Sequence, residues 1–242
     1  MARYDIAPAW YRSPRGRTAL VYNREGTNDV NTSIASMIED EYGLAELSLT
    51  GHAIDIGGYL GTVALGLLLD NPSLEVTIVE PLADNIAIIR KNLAANDVVD
   101  RATILQAAAG FPSGETQIIH HNFRGSETTE HHKYVGNISL VMGIGPLSCN
   151  DIYPHDHTEV PVVSISDLAR DDTVFLKIDC EGGEWAALQD RRVDSIPVIR
   201  GEIHPVDGHK MAEIHDLLPL HDVKREGEYA DSGPCEFRAV LR

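Results

Sequence analysis

The residues best able to do chemistry begin with a glycine-rich turn. The run Asp55-Ile56-Gly57-Gly58-Tyr59-Leu60-Gly61 follows a short apolar segment and precedes a helical pattern. Glycines let the main chain turn sharply and approach a ligand where a Cβ would collide. Asp55 could order this loop and accept hydrogen bonds from a ligand ammonium, and a helix beginning near Leu60 would point its N-terminal amides at a carboxylate or a phosphate. A plain strand-to-helix turn has the same pattern, so the loop predicts a ligand site only together with other signals.

An acidic residue at a compatible distance is the second signal. Glu80-Pro81 follows an apolar run, and Glu80 lies 25 residues after Asp55. A carboxylate at the end of a second strand can meet two ribose hydroxyls, although an exposed strand-end glutamate is the alternative. Asn85 would begin the next helix, where capping is favoured over contact with a ligand. Small side chains at Ala107-Ala108 would leave a flat slot for a nucleoside base, and close helix packing explains them equally well.

Polar residues near the ends of two later strands could manage a proton. Asp179 could accept the proton of an acceptor or orient its hydroxyl. Lys177 shares a strand face with Asp179 by the period of two, so it could pair with Asp179 or lower the pKa of an acceptor hydroxyl. His204, with an ordinary pKa of about 6.5, is a candidate general base that Glu202 could orient, and a strand-end histidine without a role is the alternative. Glu181 could serve the same cleft, and for both Glu181 and Glu184 the alternative is a charge that complements the N-terminus of a helix.

The elements that must position these residues alternate between apolar, β-rich runs and helical patterns. The predicted strands are His52–Ile56, Glu75–Val79, Ala102–Gln106, Val174–Ile178 and Pro197–Ile203, with helices at about 60–70, 83–95 and 183–190. This alternation predicts a mostly parallel sheet with helices on both faces. A ligand would then lie at the carboxyl ends of the strands, near the topological switch point. Cys235 to Leu241 is expected to add an edge strand.

Two further segments are set apart by their composition. Residues 1–50 are predicted to form an N-terminal cap, helical over Thr32 to Tyr42, and residues 51–242 to form the α/β domain. Residues 111–165 are rich in glycine and proline and are predicted to be an insertion, with a strand at Thr116–His120, that helps build an acceptor pocket. The histidines there are His120, His121, His131, His132, His155 and His157. They lack a compact ligand spacing, so no metal is predicted.

Composition limits the partners and the compartment. The chain of 242 residues has 37 acidic and 20 basic residues, for a formal charge of −17. Such a charge disfavours nucleic acid and anionic membranes as partners and favours a small-molecule acceptor. The sequence shows neither a charged leader nor an apolar run that could span a bilayer. Its three cysteines lack a paired spacing. We therefore expect a soluble, cytoplasmic protein, and the sequence does not indicate an oligomeric state.

One segment separates the two cofactors that a glycine loop and an acid allow, a nicotinamide and S-adenosylmethionine. Phe175-Leu176-Lys177-Ile178-Asp179-Cys180-Glu181-Gly182-Gly183-Glu184, taken with the loop and Glu80-Pro81, resembles the FkbM family of methyltransferases over about residues 20–205. The family pattern runs from an Asp-Ile-Gly loop through Glu-Pro to Lys-Ile-Asp-x-Glu-Gly-x-Glu. The resemblance also includes Thr27, Asp29, Tyr42, Ala107, Ala108 and Ser166-Asp167-Leu168. Tyr59 departs from it, because the family usually has an asparagine there, so the expected side-chain contact is lost or replaced by stacking.

The resemblance implies a Rossmann-like class I methyltransferase fold, with a mostly parallel seven-stranded sheet, helices on both faces, an N-terminal helical cap and an insertion after strand three. It implies S-adenosylmethionine as cofactor and a hydroxyl oxygen of a sugar or secondary metabolite as acceptor. An Asp/Asn-Pro-Pro-Tyr motif, which would indicate an amine acceptor, does not follow strand four. The predicted cofactor-binding residues are Asp55, Gly57, Gly58, Tyr59, Gly61, Glu80, Pro81, Asn85, Ala107 and Ala108, and the predicted catalytic residues are Asp179, Lys177, Glu181 and His204. An NAD-dependent oxidoreductase and a non-catalytic nucleoside-binding regulatory protein are the alternatives.

Overall fold

The computed structural model describes residues 4–114, 116–121, 138–139, 156–204, 209–226 and 234–242. Its strands are β1 (Ile6–Arg12), β2 (Thr18–Arg24), β3 (Gly51–Ile56), β4 (Leu74–Val79), β5 (Ala102–Leu105), β6 (Ala108–Ala109), β7 (Thr116–His121), β8 (Ile138–Ser139), β9 (Asp156–Val163), β10 (Thr173–Ile178), β11 (Val198–Ile203), β12 (His221–Glu226) and β13 (Cys235–Leu241). Its α-helices are α1 (Asp29–Ile34), α2 (Thr62–Asp70), α3 (Ala83–Ala94), α4 (Ile165–Leu168), α5 (Glu184–Ala187) and α6 (Ile214–Leu217). A π-helical turn (Ala35–Glu39) continues α1, and short 3-10 turns cover Leu44–Glu46, Val99–Arg101, Arg191–Ser195 and Met211–Glu213.

A seven-stranded sheet with the order β12-β13-β11-β10-β3-β4-β5 forms the centre of the fold. The strands from β11 to β5 run parallel, whereas β13 is antiparallel to both of its neighbours. The chain continues from β3 to β4 on one side and later adds β10 on the other, so the direction of strand addition reverses between β3 and β10. Open α/β sheets bind ligands at such a switch point, beyond the carboxyl ends of the strands. The predicted fold class is confirmed.

The five strands predicted from apolar runs are all present, each with its ends within one residue of the prediction. The position of the last strand was predicted wrongly, because β13 lies between β11 and β12 rather than at the edge. The edge strand β12 was not predicted, since Val223 is the only apolar residue in the segment His221–Glu226. A strand with so few apolar residues gives little periodic signal.

Two apolar cores pack against the opposite faces of the sheet. Ile54 and Leu176 belong to one core, while their neighbours Ala53 and Phe175 belong to the other, as the alternation of side chains along a strand requires. Helices α4, α5 and α6 cover the core that contains Ile54 and Leu176, and α2 and α3 cover the core that contains Ala53 and Phe175. The central strands are buried on both faces, so their ends at the switch point are fixed by packing.

The N-terminal segment contains a hairpin as well as the predicted helical cap. Helical structure is present over Asp29–Glu39, whereas the antiparallel pair β1–β2 was not predicted. Tyr11 and Val21 of the hairpin share a core with α2 and α3. The amide side chains of Asn92 on α3 and of Asn96 just after it accept hydrogen bonds from the main chain of β2. The hairpin is therefore anchored to the helix that follows β4. A domain boundary at residue 50 stays a prediction.

The predicted insertion is described only in part. Strands β6 to β9 form a small sheet with the order β6-β9-β7-β8, and β7 includes the strand predicted at Thr116–His120. Residues 122–137 and 140–155 lie outside the described residues, as do the side chains of the insertion's histidines. The acceptor pocket and the absence of a metal there stay predictions. Across the described part of the chain, none of the helices combines the length and apolarity needed to cross a membrane.

Candidate active site

A cavity of about 520 Å³ opens at the carboxyl ends of β3, β4, β10 and β11, at the switch point of the sheet. Most of the predicted site residues line it: Gly57, Gly58, Tyr59, Glu80, Pro81, Ala107, Ala108, Lys177, Asp179, Glu181 and His204. Three predicted cofactor-binding residues, Asp55, Gly61 and Asn85, are not among the residues that line it. The N-terminal segment adds a wall that was not predicted, formed by Asn28, Asn31, Thr32, Ala35, Glu41 and Tyr42.

The glycine turn is required by the packing of the protein itself. Gly57 has φ of 78°, and a Cβ there would lie 1.7 Å from the carbonyl oxygen of Asp179. A Cβ at Gly58 would lie 2.3 Å from Cγ2 of Ile78. Gly61 has φ of 74° and starts α2 in the left-handed region. From the sequence, these glycines were predicted to let the main chain approach a ligand closely. At Gly57 and Gly58, however, the neighbouring strands already exclude a side chain.

Asp55 and Lys177 form a buried pair behind the turn. They are register neighbours on β3 and β10, and Lys177 Nζ lies 3.4 Å from Asp55 Oδ1. The same ammonium donates to the carbonyl oxygens of Ile56 at 3.1 Å and Gly57 at 2.7 Å. Lys177 thus ties β10 to the glycine turn. The predicted partner, Asp179, is replaced by Asp55, and Asp55 orders the loop from behind rather than facing the cavity.

Glu80 is a fully buried carboxylate on the cavity wall. Its Oε2 accepts from the main-chain nitrogen of Tyr59 at 2.8 Å, and its Oε1 accepts from Leu82 N and Asn85 Nδ2, both at 3.0 Å. Burial raises the pKa of Glu80 to about 7, and these hydrogen bonds oppose the rise. Asn85 does not cap α3 as expected, because Leu82 is the N-cap and no side chain caps the helix.

Tyr59 takes the left-handed conformation with φ of 46°, which is uncommon outside glycine and asparagine. Its hydroxyl donates to Asp29 Oδ1 at 2.7 Å, and the guanidinium of Arg24 lies 5.3 Å from the centre of its ring. The side chain therefore contacts the N-terminal segment, and the stacking expected in place of the family's asparagine contact stays a prediction.

Asp179, Glu181 and His204 lie together at the ends of β10 and β11. Asp179 Oδ2 accepts a hydrogen bond from the Tyr42 hydroxyl at 2.8 Å. His204 faces Glu184 through Nδ1 at 3.3 Å and Glu181 through Nε2 at 3.4 Å. Burial lowers the pKa of His204, but the hydrogen bond and charge of Glu184 outweigh it and raise the pKa to about 10. A protonated His204 would pair with the carboxylates of Glu184 and Glu181, and the role of His204 as a general base stays a prediction.

Glu184 was weighed from sequence only as a charge at a helix start. The structure shows it fully buried, with its two carboxylate oxygens accepting from Cys180 N at 2.6 Å and Gly182 N at 2.9 Å. It thereby holds the turn after β10 and the His204 ring together.

Two more glutamates face this part of the cavity. Burial, followed by the charge of Asp179, raises the pKa of Glu41 to about 8 and that of Glu202 to about 7. Glu41 was missed from the sequence, although its neighbour Tyr42 belongs to the family resemblance. The signal that could have found it is an acid directly before that tyrosine.

The same corner has a donor set that could hold a cation. One ligand atom from each of Asp179, Glu181 and His204 lies within 4.8 Å of the others. A metal bound through Nε2 of His204 would displace the proton that faces Glu181, whereas Glu184 could keep the proton on Nδ1. Ion pairs explain the set equally well.

Comparisons with known proteins place this geometry in a family. The methyltransferase FkbM domain matches residues 55–227, more than half of the chain. No protein of curated function has a significantly matching sequence. A putative rRNA methylase from Clostridium thermocellum is 11% identical, with a TM-score of 0.50 over 84% of this chain and 94% of that chain. The putative methyltransferase yhhF from Escherichia coli is 14% identical, with a TM-score of 0.48 over 96% and 99%.

M. capricolum TrmK, solved with S-adenosyl-homocysteine, is 9% identical, with a TM-score of 0.46 over 84% of this chain and 67% of that chain. At such identities the rRNA methylase supports the fold alone. The domain match goes further, because it covers the glycine turn, Glu80 and the Lys177 to Glu184 segment together. The chain belongs to the FkbM family of methyltransferases.

Proposed function

We propose that this protein transfers the methyl group of S-adenosylmethionine to a hydroxyl oxygen of a small-molecule acceptor. The observation that carries the proposal is one continuous cavity that follows the strand ends from Ala108 and Glu80 to Asp179 and His204. One side offers the groups that suit a nucleoside, and the other offers carboxylates that can take a proton. Methyl transfer needs both side by side, because the reacting atoms must come within about 3–3.5 Å.

Glu80 suits a ribose hydroxyl because part of its carboxylate is still open. An ionised carboxylate has about four acceptor positions. Leu82 N and Asn85 Nδ2 use those of Oε1, and Tyr59 N uses one on Oε2. The remaining position is on Oε2. This supports one direct ribose contact at Glu80, fewer than the two that the spacing suggested.

Ala107 and Ala108 suit the base of the nucleoside. Both are buried and both line the cavity next to Pro81. Side chains that end at Cβ leave this wall flat, which supports the predicted slot.

The acceptor side needs a group to take a proton, because a bound S-adenosylmethionine supplies the activated methyl group itself. Asp179, held by Tyr42, is the group we assign to orient the acceptor hydroxyl and accept its proton. Lys177 is fully engaged by Asp55 and two carbonyl oxygens, so it positions the loop. His204 balances the charge of Glu181 and Glu184.

A small molecule rather than nucleic acid is the proposed acceptor. The formal charge of −17 opposes a polyanion, and Glu41, Glu202 and Glu236 add acidic groups to the cavity wall itself. A cytoplasmic location is part of the proposal, supported by the lack of a paired spacing among the three cysteines of the sequence.

Calorimetry with S-adenosylmethionine, S-adenosylhomocysteine and NAD tests the cofactor. We expect binding of both sulfur nucleosides, and binding of NAD alone would refute the proposal in favour of an oxidoreductase. Labelled methyl transfer to a panel of hydroxyl, amine and carbon acceptors, with the product bond assigned by NMR, tests the acceptor atom. Transfer only to nitrogen or carbon would refute O-methylation.

A further inference from the structure

A buried ion pair from the N-terminal segment reaches the cofactor side of the cavity. Arg24, at the end of β2, binds Asp29 through Nε at 2.9 Å and Nη2 at 3.0 Å. Arg24 is 4% exposed and Asp29 is 0% exposed. A buried charge pair is costly to desolvate unless its remaining hydrogen-bonding positions are satisfied. Their other partners therefore show what the pair is built to hold.

Those partners are two of the three residues that donate hydrogen bonds to Glu80. Asp29 Oδ1 accepts from the Tyr59 hydroxyl at 2.7 Å, and Arg24 Nη1 donates to Asn85 Oδ1 at 2.7 Å. Tyr59 N and Asn85 Nδ2 in turn donate to different oxygens of Glu80. Two chains of hydrogen bonds, here called the two arms, thus connect the ion pair of Arg24 and Asp29 to the two oxygens of the Glu80 carboxylate.

The direction of each hydrogen bond is fixed by chemistry. An arginine only donates, so Arg24 can be met only by the oxygen of the Asn85 amide. The amide nitrogen of Asn85 must then point the other way, toward Glu80. Without Arg24, a flipped amide would place an oxygen against the Glu80 carboxylate and repel it. On the other arm, Asp29 secures the side chain of a residue with φ of 46° whose main-chain nitrogen holds Glu80 Oε2.

We propose that Arg24 and Asp29 are positioning residues for the cofactor, acting through Asn85 and Tyr59 to hold Glu80 with the open position of Oε2 toward the cavity. The inference rests on the proposed function and extends the cofactor site into the N-terminal segment. Neither Arg24 nor Asp29 lines the cavity itself. Their effect on cofactor affinity must therefore pass through the residues that they hold in place, and the proposal assigns it to Glu80.

The test is a double-mutant cycle on S-adenosylhomocysteine affinity, measured by calorimetry on the full chain. Arg24→Gln should weaken binding by about tenfold or more, since it disturbs hydrogen bonds to a charged group. Glu80→Gln should weaken binding as well, and Arg24→Gln added to Glu80→Gln should have little further effect. Independent, additive losses would overturn the proposal, because a purely structural arginine would act equally in both backgrounds.

Arg101→Gln is the matched control. Arg101 is half-buried and donates to the carbonyl oxygens of Leu68, Asn71 and Leu74, away from the cavity. The Arg101→Gln variant should have a lower melting temperature and an unchanged affinity for S-adenosylhomocysteine. If Arg24→Gln does the same, the positioning role is wrong.

Tyr59→Phe keeps the test decisive if Arg24→Gln does not fold. It removes only the hydroxyl that binds Asp29, and we expect a loss of affinity of about threefold to tenfold. Unchanged affinity in a folded Tyr59→Phe variant would overturn the proposal. If the wild-type protein binds neither S-adenosylmethionine nor S-adenosylhomocysteine, the proposed function fails and this inference fails with it.

Discussion

At the scale of single residues, Gly57 shows how the chain shapes its own site. Its φ of 78° costs an alanine about 1–2 kcal/mol, and a Cβ would also lie 1.7 Å from the Asp179 carbonyl oxygen. We expect Gly57→Ala to lower the free energy of unfolding by about 3 kcal/mol or more in urea denaturation. Gly16→Ala is the control, because Gly16 has φ of 87° but no atom within 4 Å of a built Cβ. Equal losses in the two variants would show that the contact with Asp179 relaxes freely.

Asp179 and Glu80 are both carboxylates on the cavity wall, yet we expect their substitution to affect different steps, turnover for Asp179 and cofactor binding for Glu80. Asp179 lies on the proposed acceptor side and is held by Tyr42. We expect Asp179→Asn to keep S-adenosylmethionine affinity and to lower kcat by about 10²–10⁴-fold, as for loss of a proton acceptor. Binding by calorimetry and turnover with a methyl-release assay separate the two effects. A loss of cofactor affinity as large as that of Glu80→Gln would contradict this division.

At the scale of elements, the pair of Asp55 and Lys177 joins β3 to β10 at the switch point. Both side chains are almost fully buried, and removing one partner of such a pair costs about 3–5 kcal/mol. We expect Lys177→Met and Asp55→Ala each to lower the free energy of unfolding by about 3 kcal/mol. The double variant should lose at least about 1 kcal/mol less than the sum. Any loss of cofactor affinity in Asp55→Ala would then follow from a loosened loop.

The exposed Lys224 on the edge strand β12 is the control for this pair. Lys224→Met should change stability by no more than about 0.5 kcal/mol. Additive losses for Asp55 and Lys177 would mean that Lys177 acts only through the carbonyl oxygens of the glycine turn.

The parallel strands of the sheet were predictable from the sequence, including the edge strand β5, whereas the edge strand β12 and the hairpin β1–β2 were not. β3, β4 and β10 are rich in apolar residues because helices cover the sheet, and the ends of these strands fix the positions of Gly57, Glu80 and Asp179. β12 has a single apolar residue, so periodicity could not find it. β1 and β2 are largely apolar, but they lie outside the alternation of strands and helices from which the sheet was predicted.

The pairing of side chains across elements was also beyond the sequence. Period two placed Lys177 and Asp179 on one strand face, but the register of β10 with β3 decides that Lys177 meets Asp55. In the same way, nothing local to Asn85 shows that Arg24 binds it. Long-range contacts of this kind depend on the assembled sheet.

At the scale of the whole molecule, the acidic composition and the acidic cavity are both expected to lower the stability of the fold as the pH rises. Burial raises the pKa of Glu41 to about 8, and Glu184 raises that of His204 to about 10 against the effect of burial. The unfolded values are about 4.3 for glutamate and about 6.5 for histidine, so between pH 7 and 9 the folded state binds more protons than the unfolded state. Stability must then fall as pH rises through this window. His52, with a pKa lowered to about 4, has its opposite effect only at lower pH.

We therefore expect the melting temperature to fall from pH 7 to pH 9, and Glu41→Gln to reduce that fall. The amide is uncharged throughout, so it removes both the proton that Glu41 must release and the repulsion between its carboxylate and Asp179. Glu39→Gln, on the exposed surface of the same segment, removes the same formal charge and should leave the slope as it is. Melting curves of the three proteins across the window decide the matter. Because Glu39 and Glu41 differ in burial rather than in charge, equal slopes would assign the pH dependence to the overall charge of −17 instead of the cavity.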